Sequence, residues 1–502
     1  MSFIGRLFAT TNLEKLRALS KQRILKRALT GKDLIAIGLG TMIGGGIFTT
    51  IGPGVHMAGP GVIISYLLAG TASFFAALSY AELGSMVPLA GSAYTYAYAT
   101  LGKLVAWIIG FALLFEYGIS AAPVAQQFSA AIQDLVHQAF GITIPLWMQQ
   151  SHLMIHGAWW IPANWDIAHS QVDVIGAVFV LLLSALLSIG IRETATTNNI
   201  FVVLKIGALV VFVVAGISLI HPQNWTPFIP LGWGNLKPFS GGGGVGIVPA
   251  AALVFFSYIG FDTATTTAEE CKVPQRDVPM GVIGSLAIGT VIYCAVAIVL
   301  VGIMPWRQVS QHNALEQAIA PLHNTFVNWA IIVGVISGTT SVALASLLGQ
   351  TRIFYVMARD RMLPPFVAKV HPRLQTPVLM TMLTGIGVAI LTLIVPLDNL
   401  LNLVNIGTLL AFIVVCAGVI YLRAKRPDIP RSFRSPFVPW FPLTGIVMST
   451  FLAVYGLSQA TWIWFVGALF VGLIFFFSYG FHKSDPSRIG PVPESEALPP
   501  LA

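Results

Sequence analysis

The sequence predicts an all-α integral membrane protein with twelve transmembrane helices. Charged residues make up only 9% of the 502-residue chain, whereas soluble domains carry about 25%. Apolar residues make up 56% of the chain, and the mean hydropathy is +0.81. Twelve apolar runs have about the length that a helix needs to cross a bilayer. They cover residues 34–57, 60–87, 104–131, 173–190, 198–220, 245–270, 281–304, 327–356, 377–396, 400–422, 438–457 and 460–480.

The positions of the Lys and Arg residues predict the orientation of these spans. If the N-terminus is cytoplasmic, 24 of the 27 basic residues fall in cytoplasmic segments, only Lys237 and Arg307 lie outside, and Lys205 lies within span 5. Cytoplasmic loops of membrane proteins carry such an excess of basic residues. We therefore expect both termini in the cytoplasm and attribute the net charge of +8 to topology rather than to nucleic-acid binding.

The runs divide the chain into four regions: a basic segment at 1–32, spans 1–10 at 33–422, spans 11–12 at 423–480 and a tail at 481–502. The first region carries eight Lys and Arg residues and lacks the short apolar core and cleavage site of a signal peptide. We interpret it as a basic interfacial segment that sets topology. Specific recognition of lipid by this segment is an open alternative.

Span 1 contains a cluster of glycines that predicts a break in the helix. Residues 37–50 read IGLGTMIGGGIFTT, and their five glycines are Gly38, Gly40, Gly44, Gly45 and Gly46. Non-helical backbone at membrane depth is tolerated only where protein buries it or where it lines a cavity, because lipid cannot hydrogen-bond the freed N–H and C=O groups. A close helix-packing face is the alternative, but it needs fewer glycines. We therefore expect a binding site at this break.

Span 6 contains a second interruption. The stretch AALVFFSYIGFDTATTTAEE places Ser257, Gly260 and Asp262 inside an otherwise apolar helix, and a carboxylate at that depth is costly and usually functional. Two breaks five spans apart suggest two halves of five spans. Because five is odd, the second half must enter the membrane inverted relative to the first. This inverted five-plus-five repeat with broken helices 1 and 6 is an architecture of secondary transporters.

The two breaks predict the chemistry of the ligand. The second half of span 1 begins near Gly46, so its N–H groups present the positive end of a helix dipole to a carboxylate. The first half of span 6 ends near Phe256, Ser257 and Ile259, whose free carbonyl groups suit an ammonium group. A ligand that carries both groups on one carbon is an α-amino acid.

Four motifs resemble those of the amino acid–polyamine–organocation superfamily and, within it, the bacterial twelve-span form of the cationic amino acid transporter family. They are IGLGTMIGGGIF in span 1, SYAELGSMVPLAGSAYTYAY at 79–98, FFSYIGFDTATTTAEECKVPQRDVP at 255–279 and GQTRIFYVMARDRMLP at 349–364. The resemblance covers about residues 28–480. It implies a leucine-transporter-like fold in the inner membrane of a bacterial cell.

The resemblance also implies roles for individual residues. It places the substrate carboxylate on the break in span 1, at Met42, Ile43, Gly44, Gly45 and Gly46. It places the amino group on the carbonyls of Phe256, Ser257 and Ile259. It implies that Phe256 is the outer gate and that Lys205 couples transport to protons. Family members often carry Ser or Thr at the position of Gly45, so contact with the carboxylate is expected here from backbone alone.

Four further residues are candidates for the substrate site: Glu116, Ser120, Asp262 and Ala345. Glu116 lies deep in span 3, and Ser120 follows one turn later on the same face of the helix. Small residues recur in span 8 around Ala345. If that side faces the substrate, it leaves room for a long side chain, whose cationic end Asp262 or Glu116 could receive.

Lys205 is the only basic residue that the sequence places deep within a span, since Arg352 lies at the inner end of span 8. It lies about eight residues, or roughly 12 Å, into span 5, which is far for a lysine stem to reach the interface. Burial disfavours the charged amine, so loss of its proton is accessible near physiological pH. We expect the protonated amine to bridge the span 1 break and the hydroxyl groups of Thr340 and Ser341 in span 8, in the place of a sodium ion.

No motif predicts a metal, a cofactor or an enzyme. The cysteines Cys271, Cys294 and Cys416 have neither disulfide-framework nor metal-ligand spacing. The outer loop at 132–171 contains four His and four Trp residues, which we interpret as interfacial, with a metal site as the less favoured alternative. No HExxH or GxSxG sequence occurs.

We therefore predict a proton-coupled symporter of L-amino acids that works by alternating access, with arginine, lysine or ornithine as candidate substrates. The alternatives are an amino acid exchanger and a permease for small neutral amino acids such as alanine. The expected partners are the substrate, protons and the lipid bilayer, with no nucleic acid, and a small accessory membrane subunit is left open. A channel fits less well, because two opposed helix dipoles describe a closed ligand site.

Overall fold

The structure is a computed structural model of the chain. It describes residues 29–86, 92–155, 165–189, 195–239, 244–266, 271–369 and 376–484, together with residues 7, 8, 10, 268, 371 and 374. Most of the predicted basic segment at 1–32 and most of the predicted tail at 481–502 lie outside the described residues.

Helices dominate the described part of the chain. In the first half they are α1 (Gly31–Met42), α2 (Ile47–Ala58), α3 (Val62–Met86), α4 (Ser92–Thr100), α5 (Lys103–Phe140), α6 (Val174–Ile189), α7 (Ala195–Gly216), α8 (Ile247–Val254) and α9 (Thr263–Thr266). In the second half they are α10 (Pro274–Ile303), α11 (Ala314–Ile319), α12 (Thr325–Arg359), α13 (Val378–Ile394), α14 (Leu397–Lys425), α15 (Trp440–Phe451), α16 (Gln459–Phe475) and α17 (Phe481–Lys483). Turns of π-helix at Leu452–Gly456 and Phe476–Gly480 follow α15 and α16.

Each predicted span coincides with one of these helices or with a broken pair of them. Among the described residues, eight helical segments are long and apolar enough to cross a membrane: Ile47–Met86, Lys103–Phe140, Ile200–Leu219, Ile247–Thr265, Pro274–Ile303, Thr325–Arg359, Leu397–Lys425 and Gln459–Lys483. Shorter apolar helices occupy the predicted spans 4, 9 and 11. The chain is therefore a multi-pass helical membrane protein, as its composition predicted.

The loop predicted at 132–171 carries a small sheet that the all-α prediction did not include. Strands β1 (His152–Ile155) and β2 (Trp165–Gln171) pair antiparallel, with His152 opposite Gln171. The pairing satisfies backbone N–H and C=O groups that no helix uses in this loop. Within the described residues, no group of three or more His, Cys, Asp or Glu side chains is placed to hold a metal, although part of the loop, including His156, lies outside that set.

Local sequence explains where α1 begins and ends. At its start the Asp33 carboxylate accepts hydrogen bonds from the backbone N–H (2.8 Å) and the hydroxyl (2.7 Å) of Thr30, as in a capping box. The helix ends at Met42, where the glycine triad begins, and helical structure resumes at Ile47. The first predicted span is thus two short helices rather than one continuous helix.

The two broken spans lie at the centre of the molecule. On one side α1 packs against α10, α2 against α8, and α3 against both α8 and α10. On the other side α5 packs against α12 and α14, and α12 packs against α7. The buried apolar side chains of these helices form one continuous core. The packing therefore surrounds both breaks with protein, which is the condition that non-helical backbone needs at membrane depth.

Candidate functional site

The break in the first span is a four-residue segment, 43–46, between α1 and α2. Gly44 has a φ of 127°, a conformation that residues with a side chain rarely adopt. A Cβ added to Gly44 would lie only 2.4 Å from the carbonyl oxygen of Gly338 in α12. Glycine is therefore required at this position both for the backbone conformation and for the close approach of the break to α12.

The sixth span breaks after α8. A 3-10 turn at Phe255–Tyr258 leads into the non-helical residues 259–262, and helical structure returns at α9. The N–H of Ile259 donates to the carbonyl of Phe256 at 3.2 Å, so one lone pair of that carbonyl is already used. Its second lone pair leaves the predicted role as an acceptor chemically feasible.

The two breaks touch each other at Gly46 and Ser257. A Cβ on Gly46 would lie 2.7 Å from the Cα of Ser257 and 2.6 Å from the carbonyl oxygen of Met42. One turn into α2, the hydroxyl of Thr50 is hydrogen-bonded to the hydroxyl of Ser257 at 2.7 Å and to that of Tyr66 at 2.9 Å. These contacts bring the N-terminal end of α2 next to the broken part of the sixth span.

Thr41 connects the same two breaks from the other side. Its hydroxyl lies 2.8 Å from the carbonyl oxygen of Gly260 and 2.9 Å from the hydroxyl of Thr263. Gly260 has a φ of 116°, and a Cβ there would lie 2.8 Å from the Thr41 hydroxyl oxygen. The last turn of α1 therefore fits directly against the sixth span, and a side chain at Gly260 would separate them.

A cavity of about 40 Å³ lies between the two breaks. Its lining residues are Thr41, Gly45, Gly46, Tyr117, Ser120, Phe256, Ile259, Gly260, Thr263, Val342, Ala345 and Ser346. Most of the exposed cavity wall is apolar. A cavity of this size holds only about two or three water molecules. A ligand of amino acid size therefore requires the surrounding helices or side chains to move apart.

The predicted substrate residues divide into those that line the cavity and those that support it. Those in the lining are Gly45, Gly46, Ser120, Phe256, Ile259 and Ala345. Those that are buried beside the break without being part of the lining are Met42, Ile43, Gly44 and Ser257. Phe256, the predicted gate, is buried and forms part of the wall.

The two predicted acidic residues are not part of the wall, although each is adjacent in sequence to a residue that is. Glu116 and Asp262 are both buried and are close enough to interact electrostatically. Oε2 of Glu116 has no hydrogen-bond partner among the described residues. A basic group on a ligand would have to pass the cavity wall to reach this pair.

Lys205 of α7 is fully buried, and its ammonium joins α1 to α12. It donates to the carbonyl oxygen of Gly40 and, at 2.7 Å, to the hydroxyl oxygen of Ser341. Gly40 lies in the last turn of α1, where the break removes the N–H partners that a continuous helix would supply. Lys205 therefore contacts the broken end of the first span and span 8, the two places at which the sequence analysis expected it.

The two predicted hydroxyl partners in span 8 behave differently. Ser341 accepts from Lys205 and also donates to the carbonyl of Gly338 at 3.2 Å, and Gly338 is the residue that packs on Gly44. Thr340 donates to the carbonyl of Ile336 at 2.7 Å within its own helix. The contacts of Ser341 thus lead from the lysine to the break in the first span.

Sequence reasoning missed several lining residues: Thr41, Tyr117, Gly260, Thr263, Val342 and Ser346. Thr41 and Gly260 could have been found from the sequence. A hydroxyl beside a break can hydrogen-bond the freed backbone groups, and a glycine inside a break can adopt non-helical backbone conformations. Val342 could not, since an apolar residue in an apolar span is uninformative. Its role depends on packing: a Cβ on Gly45 would lie 2.7 Å from Val342 Cγ1 and 2.7 Å from Val124 Cγ2.

Comparison with known proteins identifies relatives over almost the whole chain. A family model described as "Amino acid permease" matches residues 29–478. The chain is 40% identical over 474 residues to the methylthioribose transporter of Bacillus subtilis, covering 94% of this chain and 97% of the relative. It is 38% identical over 479 residues to the branched-chain amino acid permease BcaP of the same organism, covering 95% and 98%. It is 35% identical over 414 residues to the vacuolar cationic amino acid transporter 4 of Arabidopsis thaliana, covering 82% and 66%.

Proposed function

This chain belongs to the amino acid permease family, and we propose that it is a proton-coupled symporter of L-amino acids. Membership of the family makes it a membrane transporter rather than an enzyme, and it confirms the resemblance that the sequence motifs suggested. The names of its relatives refer to different solutes, namely methylthioribose, branched-chain amino acids and cationic amino acids. The side-chain preference of this chain must therefore come from its own cavity.

The proposed architecture has twelve spans, of which the first ten form an inverted five-plus-five repeat around the site. Two observations support it: each predicted span coincides with a helix or a broken pair, and the breaks occur in the first and sixth spans. The distribution of basic residues supports cytoplasmic termini in the inner membrane of a bacterium. Spans 11 and 12, residues 423–480, lie outside the repeat in this proposal.

The substrate's α-carbon groups bind between the two breaks. The carboxylate accepts hydrogen bonds from backbone N–H groups at Gly45 and Gly46, where the helix dipole of α2 is positive. The ammonium donates to the carbonyls of Phe256 and Ile259. The observation that carries this proposal is that all four residues line the same cavity, although they come from spans more than 200 positions apart in sequence. Ser257 and residues 42–44 shape the break.

Lys205 carries the coupling proton. As an ammonium it holds the end of α1 against Ser341 of α12, and as a neutral amine it would no longer attract the Gly40 carbonyl so strongly. Protonation of Lys205 during substrate binding would form the contacts with Gly40 and Ser341. Loss of that proton would weaken them and release α1 from α12. The protonated amine therefore takes the place that a bound sodium ion would have in a sodium-coupled transporter. Transport in this proposal needs no sodium.

The cavity wall favours neutral, apolar substrate side chains. Val342, Ala345 and Ile259 give an apolar surface, and the small residues Ala345 and Ser346 leave room on the α12 side. Neither Glu116 nor Asp262 lines the wall in this conformation, so a cationic side chain finds no counter-charge there. Cationic substrates have weaker support, because they would require the wall to open toward these carboxyl groups.

Uptake into proteoliposomes tests the proposal. Vesicles with an inward proton gradient, a lumenal pH dye and radiolabelled leucine, alanine or arginine should accumulate the neutral substrates and acidify inside, with or without sodium. Uptake that requires preloaded internal amino acid would show exchange instead. A strict sodium requirement would contradict proton coupling. A preference for arginine would contradict the proposal that the cavity wall favours neutral, apolar side chains.

A further inference from the structure

The connection that runs from the last turn of α14 to the start of α15 is a second feature of interest, outside the transport site. Residues 423–434 carry five basic side chains, Arg423, Lys425, Arg426, Arg431 and Arg434, against the single acidic residue Asp428. We propose that the exposed part of this connection is a binding surface for the headgroup of an anionic phospholipid. We define this inner basic surface as Lys425, Arg426, Arg434, Phe437 and Trp440.

Two of the five basic residues fix the connection in place. The carboxylate of Glu82, at the end of α3, accepts from Arg423 Nε at 2.9 Å and Nη2 at 3.0 Å, and Arg431 Nε lies 3.2 Å away. The backbone N–H of Ser435 donates to the same carboxylate at 2.8 Å. Arg431 also donates to the carbonyls of Leu422 (3.1 Å) and Arg426 (2.9 Å) at the end of α14. The connection is therefore held to the helices by buried bonds, although it has no regular helix of its own.

The remaining basic side chains face solvent. Lys425, Arg426 and Arg434 are exposed, and within the described part of the chain only Arg426 forms an ion pair, with the 68%-exposed Asp428 at 3.6 Å. A pair as exposed and as long as this neutralises little charge. A rigid segment thus presents an excess of positive charge next to the start of a membrane-spanning helix. Clusters of Lys and Arg beside a membrane span attract anionic lipid headgroups.

Exposed aromatic rings accompany the charges. Phe437 and Trp440 are 74% and 69% exposed, at the point where α15 begins. Phe437 has a φ of 46°, which residues other than glycine seldom adopt, so the fold holds this ring outward at an energetic cost. Its ring contacts the ring of Phe441 in a tilted arrangement, and Phe441 in turn packs edge-to-face on Phe75 of α3. Exposed aromatic side chains at the end of a membrane span typically lie among the lipid headgroups rather than in water.

Exposed positive charge beside exposed aromatic rings favours one kind of ligand. A free anion would be satisfied by the basic residues and would leave both rings in water. A membrane surface of neutral lipid would cover the rings and leave the positive charges unpaired. An anionic phospholipid meets both requirements at once. In the proposed topology this surface lies at the cytoplasmic leaflet. The inference does not depend on which substrate the protein transports.

The test uses the purified full chain in detergent, with thermal stability measured while phosphatidylglycerol, phosphatidylcholine or inorganic phosphate is added. Phosphatidylglycerol should raise Tm saturably. The variant Lys425→Gln/Arg434→Gln should bind it about thirtyfold more weakly, because each basic residue near an anionic surface contributes about a fivefold factor. The matched control Arg276→Gln/Lys483→Gln removes two exposed charges elsewhere and should bind as the wild type does.

Further measurements distinguish loss of lipid binding from loss of folding. Tm without lipid shows whether each variant folds, and Arg434→Lys, which keeps the charge, should retain binding. Counting of bound lipids by native mass spectrometry should show phosphatidylglycerol lost from the double variant. Equal losses in the double variant and its control, unchanged affinity in both, or equal stabilisation by inorganic phosphate would each overturn the proposal.

Discussion

Lys205 and Ser341 are 136 positions apart in the sequence, yet the lysine ammonium donates to the serine hydroxyl over 2.7 Å inside the membrane-spanning part of the molecule. The same ammonium donates to Gly40 beside the break in the first span. The contact links spans 1, 5 and 8 through one ionisable group. A change in its charge would alter three helices together.

Replacing Lys205 with alanine should abolish pH-driven accumulation and substrate-dependent acidification of the lumen. The reason is that the ammonium of Lys205 is the ionisable group that contacts both Gly40 of α1 and Ser341 of α12. Uptake and a lumenal pH dye measure both effects in proteoliposomes. Lys237→Ala changes an exposed lysine in the connection between α7 and α8; this variant is the control and should transport normally. Undiminished proton-coupled uptake by Lys205→Ala would refute the coupling role.

Gly46→Val should eliminate substrate binding while the protein still inserts in the membrane. The added side chain would meet Ser257 and the Met42 carbonyl and would fill the carboxylate position. Gly207→Val is a matched control, since a Cβ at Gly207 meets no atom within 4 Å. Substrate-induced shifts in Tm compare the two variants with the wild type. Normal binding by Gly46→Val would show that the carboxylate site lies elsewhere.

Ala345→Met should narrow the cavity from the α12 side. Transport of leucine should fall by about tenfold or more, because overpacking of a close-packed site costs about 1–3 kcal/mol. Alanine, whose side chain is a single methyl group, should be affected much less. Competition of each amino acid against labelled alanine provides the measurement. Equal losses for both substrates would indicate that Ala345 does not face the substrate side chain.

Glu82→Gln should destabilise the protein by about 3–5 kcal/mol, because removal of one partner from a buried ion pair leaves the other charge uncompensated. Glu82 is 1% exposed, and two arginines contact its carboxylate. Asp428→Asn removes an exposed ion pair with Arg426 and should change stability little. Thermal unfolding in one detergent compares the variants, and similar Tm values for both would disprove the structural role of the Glu82 network.

Glu316 of α11, in the connection between α10 and α12, should make stability depend on pH. Burial raises the pKa of Glu316 from 4.5 to about 7, a backbone hydrogen bond lowers it, and Asp134 raises it further. Because the folded state binds this proton more tightly than the unfolded state, stability is gained below about pH 4.5 and declines as the pH rises toward 7. The full effect of such a shift is about 3 kcal/mol.

Glu316→Gln isolates this effect. The Tm difference between variant and wild type should increase from pH 4.5 to 7 in favour of the variant and stay constant above that range. Every other titrating group is present in both proteins, so its contribution cancels in the difference. A difference that does not vary with pH would contradict the assignment.

The sequence by itself was sufficient for the features that local composition controls. The low charge and the apolar runs determined a multi-pass helical membrane protein, because lipid tolerates few other backbones. The glycine triad located the break in the first span, since three consecutive residues without a side chain disfavour helical backbone whatever packs around them. Lys205 stood out for a similar reason: a basic residue in an apolar run is visible without knowledge of its neighbours.

The tertiary structure alone decided what surrounds those features. Which residues form the cavity wall depends on the rotation of each helix about its axis, so Val342 lines it and Glu116 does not. Which hydroxyl meets Lys205 depends on the register of α12 against α7. The two arginines on Glu82 lie more than 340 positions away in sequence, Arg423 in the last turn of α14 and Arg431 in the connection that follows it. Each of these contacts is set by packing between distant helices, and a linear pattern of residue types carries no information about the distance between them.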